Sequence, residues 1–180
     1  MKSAIETTVV ALSLCLLGPL SFELGSGEWI IPITLQSLVV IVMAAVFGAL
    51  PGVLGVGIYL LVGGLGLPVF AGYNSGWQSF VSPSGGFLIG FLFTAWLAGW
   101  GYQQLSARSA IWLLPMFIGC QLILLMQGAV GLSVAGISPQ QIGSIMLSLL
   151  PGLLVKAALA VLLTLGLRAV LRDDKLRAAG

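Results

Sequence analysis

Apolar residues fill most of the chain, and polar residues are gathered into short stretches between long apolar runs. A helix needs about 20 apolar residues to cross the hydrocarbon core of a bilayer, and fewer where the bilayer is locally thin. Glycine, proline and polar clusters separate the runs from one another. The pattern therefore predicts six transmembrane helices, at residues 4–22, 33–49, 51–67, 86–104, 110–132 and 149–170.

The connection at residues 68–86 is too long for a tight hairpin, and it carries no charge. It mixes Tyr73, Asn74, Trp77 and Gln78. Irregular backbone at membrane depth survives only where protein or a water-filled cavity satisfies its polar groups. We therefore expect this segment to form a lid over a site, although an interfacial belt of aromatic side chains would have a similar composition.

A second connection, GISPQQIG, contains a pattern typical of a helix start. Ser138 is a suitable N-cap, Pro139 suits the first helical position, and Gln141 follows the cap by three residues. This predicts a short helix that ends at a break at Pro151, after which another helix begins. The short helix packs beside the lid or is a plain surface connector.

The composition agrees with a protein that is embedded in a membrane. Of the 180 residues, 59% are hydrophobic and 7% are charged, whereas soluble domains have about 25% charged residues. We expect an all-α integral membrane protein with a single membrane domain, residues 1–180. Cys15 and Cys120 lie far apart and are interpreted as small core residues.

The sequence argues against catalysis. It contains no histidine, which excludes an imidazole base, a histidine metal ligand and a serine–histidine pair. It also lacks a GxxxxGK[ST] phosphate loop, so another chain must supply any nucleotide energy. We therefore predict no catalytic residues, no metal site, no cofactor and no nucleic-acid partner.

The positive charges predict the orientation, because short cytoplasmic loops retain Lys and Arg. If six spans start from a cytoplasmic N-terminus, both termini are cytoplasmic, and every Lys and Arg except Lys156 falls on the cytoplasmic side. These residues are Lys2, Arg108, Arg168, Arg172, Lys175 and Arg177.

Lys156 lies inside the last apolar run, about two turns from its predicted outer end. A lysine at the centre of a membrane helix costs about 2.5–3.5 kcal/mol on insertion scales, and it usually persists because a partner meets it. We expect Lys156 to face a cavity that opens outward and to bind the polar head of a ligand. The alternative is a lysine that extends to the outer surface.

The first helix carries a line of small side chains at intervals of four residues. Small residues at this spacing let another helix approach closely within lipid. The line is therefore a candidate docking face for a partner chain, or a surface that packs within the same chain. It consists of Ser3, Thr7, Ala11 and Cys15.

Four motifs in order resemble the BioY family, the biotin-specific substrate-binding subunits of energy-coupling-factor (ECF) transporters. The resemblance implies six helices in the bacterial cytoplasmic membrane, and a biotin pocket closed by an extracytoplasmic loop. It also implies partners, namely a transmembrane coupling subunit and two ATP-binding-cassette ATPases, and it implies that docking uses a small-residue motif on the first helix. The motifs are IPITLQSLVV at 31–40, GVGIYLLVGGLGLPVFAG at 55–72, SPSGGFLIGF at 82–91 and LLPGLLVKAALA at 149–160.

The resemblance also assigns site residues, with one departure. The family's P-G-D-x-x-K motif has its lysine at Lys156, but its aspartate is Leu153 here. A leucine can neither accept from the ureido group of biotin nor hold the lysine, so side-chain amides, hydroxyls and backbone carbonyls must supply the acceptors. The expected ligand-binding residues are Thr34, Gln36, Phe70, Tyr73, Asn74, Trp77, Ser84, Gly85 and Lys156.

Two other functions stay open at this point. Leu153 favours a subunit that takes another small vitamin or a biotin-related compound. A structural membrane protein without any ligand is the third possibility. Biotin binding would distinguish a biotin-specific subunit from these two alternatives.

Overall fold

The structure, a computed structural model, describes residues 2–24, 31–105 and 110–177. Within these residues the chain is mainly helical, with one short antiparallel strand pair and single 3₁₀ turns at Ala71–Tyr73 and Ala110–Trp112. The helices are α1 (Lys2–Leu17), α2 (Gln36–Phe47), α3 (Ala49–Gly64), α4 (Gln78–Val81), α5 (Gly85–Leu105), α6 (Leu113–Val134) and α7 (Pro139–Arg177). The strands are β1 (Ser21–Leu24) and β2 (Ile31–Thr34).

Three stretches of the described chain are long and apolar enough to cross a membrane: Gly85–Leu105, Ala110–Val134 and Pro139–Leu171. They identify a multi-pass membrane protein. Helices α2 and α3 are also apolar, but they have only 12 and 16 residues. Each predicted span overlaps one of the longer helices, whereas the count of six complete spans stays a prediction.

The strand pair was not predicted from the sequence. Ser21 lies opposite Thr34, and Leu24 lies opposite Ile31. The first two predicted spans were therefore too long, because their ends belong to strands. Short apolar runs fit a strand or a helix equally well by pattern alone.

The predicted helix break at Pro151 is wrong, because α7 continues through this residue. Proline lacks the N–H that a helix interior needs, but membrane helices tolerate it where neighbouring groups satisfy the freed carbonyl. The predicted start of the helix is confirmed. Gln141 N donates to Ser138 Oγ at 3.4 Å, and Ser138 N donates to Gln141 Oε1 at 3.3 Å.

Helix α2 lies at the centre of the packing. It contacts α1, α3, α5, α6 and α7, and residues 36–42 and 44–46 are buried. A helix that is enclosed on every side needs an apolar surface all round. This accounts for the continuous apolar sequence that follows Ser37.

Arg168 connects α7 to the C-terminal end of α2. Its Nη2 donates to the carbonyl of Ala45 at 3.0 Å, and its guanidinium lies 4.4 Å from the centre of the Tyr102 ring on α5. The carbonyls of the last helical turn lack partners within their own helix, and a cation there is favourable. Arg168 thus holds α7 against the C-terminal turn of α2.

Candidate ligand-binding site

A cavity of about 450 Å³ lies between the N-terminus of α2, the segment before α5, and helices α5, α6 and α7. Small-molecule sites are usually about 300–1,000 Å³, mostly apolar, with a few polar groups that orient the ligand. The cavity is lined by Thr34, Gln36, Ser37, Phe70, Ala71, Asn74, Ser75, Gln78, Ser79, Ser82, Ser84, Phe87, Leu88, Phe91, Gln121, Leu124, Leu125, Leu149, Leu153 and Lys156.

Lys156 lines this cavity from α7. Its Nζ donates to Ser37 Oγ at 2.9 Å, so the ammonium meets a neutral hydroxyl on α2. Leu153, one turn earlier, is 3% exposed and also lines the cavity. The helix face that carries Lys156 therefore offers no carboxylate at this level.

Gln36 contributes an amide at the first position of α2 and is 5% exposed. Its Nε2 donates to the hydroxyl of Tyr59 on α3. That hydroxyl donates in turn to the backbone carbonyl of Val69 at 3.1 Å. A polar chain therefore runs from the cavity wall into the core.

The segment between α3 and α5 forms one side of the cavity and is held by local hydrogen bonds. Asn74 Nδ2 donates to the carbonyl of Ala71 at 2.8 Å, and Ser79 Oγ donates to the carbonyl of Ser75 at 3.2 Å. The hydroxyls of Ser82 and Ser84 lie 2.8 Å apart. These bonds satisfy some of the polar groups of an irregular backbone beside the cavity, whereas the role of the segment as a lid stays a prediction.

Phe70 forms an aromatic part of the wall. Its ring meets Tyr59 edge-on at 5.4 Å and Phe80 edge-on at 5.8 Å between centroids. A side chain at Gly63 would collide with this ring, since an added Cβ would lie 2.3 Å from it. Phe70 can therefore occupy this position only because Gly63 has no side chain.

Three of the predicted ligand-binding residues do not line the cavity. Tyr73 is 65% exposed, and Trp77 is 62% exposed and packs on Phe80 at 5.3 Å. Gly85 begins α5, where an added Cβ would collide with the carbonyl of Phe80. The other six, which do line the cavity, are Thr34, Gln36, Phe70, Asn74, Ser84 and Lys156.

Sequence reasoning missed several polar residues of the wall, among them Ser37 and Gln121. Gln121 lies on α6 and is 3% exposed. An amide inside a long apolar run is a signal of function in a membrane helix, and this signal was available in the sequence. Ser37 gave no comparable signal, because a serine is unremarkable at a helix start.

The small-residue line of α1 is divided by the fold. Thr7 and Ala11 are buried, and α1 packs on α3 at this level, where an added Cβ at Gly55 would collide with Val10. Ser3 is exposed and Cys15 is half-buried. Part of the line therefore packs within the chain itself.

The family model described as the BioY family matches residues 1–173 of this chain. The chain belongs to the BioY family. BioY proteins with similar sequences include "Biotin transporter BioY" of Rhizobium etli, which is 33% identical over 164 residues, 86% of this chain and 84% of that protein. "Biotin transporter BioY2" of Lactococcus lactis is 37% identical over 114 residues, 62% of this chain. This second match spans 58% of the Lactococcus protein.

A solved structure supports the fold of this BioY family member. It is the crystal structure of the S-component for biotin from an ECF-type ABC transporter, which is 28% identical. The TM-score is 0.81, and the match covers 93% of this chain and 91% of that one. The two proteins therefore have the same helical architecture over nearly their whole lengths.

Proposed function

We propose that this protein is the substrate-specific subunit of an ECF-type transporter, and that it binds biotin at the outer side of the bacterial cytoplasmic membrane. It is a transport protein and not an enzyme. One observation carries the proposal: Lys156, a cation within an apolar helix, lines a cavity of suitable size. Family membership and the names of the relatives support biotin as the substrate.

The cavity wall suits the three chemical parts of biotin. The valerate carboxylate needs a cation or several donors, for which Lys156 and Ser37 are available. The ureido ring needs acceptors, which the amides of Gln36 and Asn74 offer. The thiophane ring needs an apolar surface, which Phe70 and the leucines of the wall provide.

Replacing Lys156 tests the proposal. Lys156→Met keeps most of the side-chain volume but removes the charge, and the loss of one partner of a buried charged pair costs at least about 2 kcal/mol. We therefore expect biotin affinity to fall by at least about 25-fold, measured by calorimetry on the purified protein in detergent.

Lys2→Met is the matched control for Lys156→Met. Lys2 is exposed at the start of α1, and its replacement should leave biotin affinity unchanged. If Lys156→Met bound biotin as tightly as the unaltered protein, the proposed role of Lys156 would be refuted.

We further infer that a coupling subunit and two ATP-binding-cassette ATPases energise transport, and that the segment between α3 and α5 closes the cavity on the outside. Family membership supports the assembly, and the sequence contains no phosphate loop of its own. Uptake of labelled biotin by cells that express this chain with and without such a module tests the partners.

A second ligand is favoured by one observation, the apolar Leu153 in the cavity wall. In that case the protein would bind a compound related to biotin whose groups need no hydrogen-bond acceptor beside Leu153. Native mass spectrometry of the purified protein distinguishes the two ligands by mass. A bound mass other than that of biotin would support the second ligand.

A further inference from the structure

Tyr59 lies behind the cavity wall and does not line it. The side chain belongs to α3 and is fully buried, and its ring meets the ring of Phe70 edge-on. Its hydroxyl makes two hydrogen bonds, one to Val69 O and one with Gln36 Nε2. Tyr59 therefore contacts two residues of the cavity wall, Gln36 and Phe70, without lining the cavity itself.

The direction of these two bonds is dictated by chemistry. A phenol has one proton to donate, and a backbone carbonyl can only accept. The proton of Tyr59 is therefore committed to Val69, and the Tyr59 oxygen can only accept from Gln36. Gln36 must turn its NH₂ group towards Tyr59.

The consequence concerns the other end of the Gln36 amide. The two ends of an amide have nearly the same shape, so hydrogen-bond partners decide which end faces which way. Because Nε2 is held by Tyr59 and Gln36 lines the cavity, Oε1 is the end left for a ligand. Gln36 then presents an acceptor.

The place of the Tyr59 hydroxyl is enforced by close packing. Gly18, just beyond α1, has no side chain, and an added Cβ would lie 2.8 Å from Val69 O and 3.1 Å from Tyr59 Oη. The end of α1, helix α3 and the segment that follows α3 therefore meet at this hydroxyl. The amide of Gln36 is held by a rigid group.

We propose that Tyr59 is a positioning residue, which fixes Gln36 as an acceptor for an N–H of the ligand's ring. The inference rests on the proposed function and deepens it. Leu153 cannot accept a hydrogen bond, so the chain needs an acceptor elsewhere in the wall. A cyclic urea, which offers N–H donors, fits a wall with a fixed carbonyl oxygen, and a ring without that N–H is disfavoured.

Tyr59→Phe tests the inference, because it keeps the ring that packs on Phe70 and removes the oxygen. Nε2 of Gln36 then loses its acceptor, and the amide is free to turn. We expect biotin affinity to fall by about 5- to 20-fold, as for a lost oriented hydrogen bond. Tyr102→Phe is the matched control: Tyr102 is buried at the Arg168 contact, and biotin affinity should not change.

A double-mutant cycle separates positioning from a general structural role. In a Gln36→Met background there is no amide to orient, so adding Tyr59→Phe should change biotin affinity by less than about 2-fold. An equal loss with and without Gln36 would overturn the inference, as would full biotin affinity in Tyr59→Phe itself.

A further measurement does not depend on the folding of the Tyr59 variant. Biotin methylated at one or the other ureido nitrogen lacks one N–H. The quantity measured is the ratio of the affinity for biotin to the affinity for each analogue. For one of the two analogues, this ratio should be at least about 3-fold smaller in Gln36→Met than in the unaltered protein. If the ratio were the same in both proteins for both analogues, the acceptor role would be overturned. If the unaltered protein did not bind biotin at all, the proposed function itself would fail.

Discussion

Leu153 occupies the cavity wall one helical turn before Lys156, and nearly all of its surface is buried. Side chains three positions apart on a helix are neighbours. Any charge placed at this position therefore acts directly on the ammonium and on whatever the ammonium binds.

We expect Leu153→Asp to weaken biotin binding by about 10-fold or more. The new carboxylate would neutralise Lys156 and repel the carboxylate of the ligand, and like charges in a poorly solvated site interact strongly. Calorimetry of Leu153→Asp beside Leu153→Asn measures the effect, since Asn has nearly the same shape without the charge.

Tighter binding by Leu153→Asp than by Leu153→Asn would contradict this expectation. It would mean that a donor of the ligand, such as a ureido N–H, lies next to Lys156. The pair of variants therefore reports which end of the ligand faces α7.

Gly63→Ala is expected to disturb the aromatic wall. The new methyl group would collide with the ring of Phe70, and overpacking usually costs about 1–3 kcal/mol. Biotin affinity and thermal stability should both fall. Gly57→Ala on the same helix is the control, because an added Cβ there meets nothing within 4 Å.

Six of the nine expected ligand-binding residues line the cavity. They could be predicted because polar residues stand out in an apolar chain and because the motifs pointed to a binding site. Tyr73 and Trp77 belong to an irregular segment, where sequence spacing does not tell which way a side chain points. The backbone of Tyr73, for example, has a positive φ of 60°, which residue patterns do not reveal.

At the scale of helices, the positions of the long elements could be predicted from apolar runs, whereas the interruptions could not. Pro151 suggested a break, but α7 passes through it. The strand pair β1–β2 consists of two four-residue segments at the ends of predicted spans, where so short a pattern suits a strand or a helix. Where a helix is interrupted depends less on the local residue type than on the neighbouring groups that supply hydrogen bonds.

The crossing of α5 and α6 provides a prediction at this scale. An added Cβ at Gly131 would lie 2.6 Å from Gly86 Cα, so backbone faces backbone and neither can yield. Gly131→Ala should lower the melting temperature of the purified protein and separate the helices beside the cavity. Gly119→Ala on α6 meets nothing within 4 Å and should melt as the unaltered protein does. Equal melting of both variants would contradict this account.

At the scale of the whole molecule, α7 is longer than a membrane is thick. Its 39 residues correspond to about 58 Å, compared with about 40–45 Å for a bilayer with its headgroup regions. An α7 that crosses close to the bilayer normal therefore extends beyond the bilayer at one or both ends.

Labelling of introduced cysteines tests the predicted orientation. In a background with Cys15→Ala and Cys120→Ala, a membrane-impermeant maleimide should label Gln140→Cys in intact spheroplasts. It should label Ala110→Cys only after lysis, because the two positions lie beyond opposite ends of α6 and are exposed. The reverse pattern would place both termini outside.

The burial of nearly all of α2 has a consequence for how a solute could cross the protein. Below Gln36 and Ser37, the helix is surrounded by packed side chains, with Val40, Ile41 and Ala44 completely buried. Interiors of this kind leave no space for a solute to pass. A molecule in the cavity therefore has no open path along α2, and under the proposed function its delivery to the far side requires a rearrangement of the protein as a whole or of its helices.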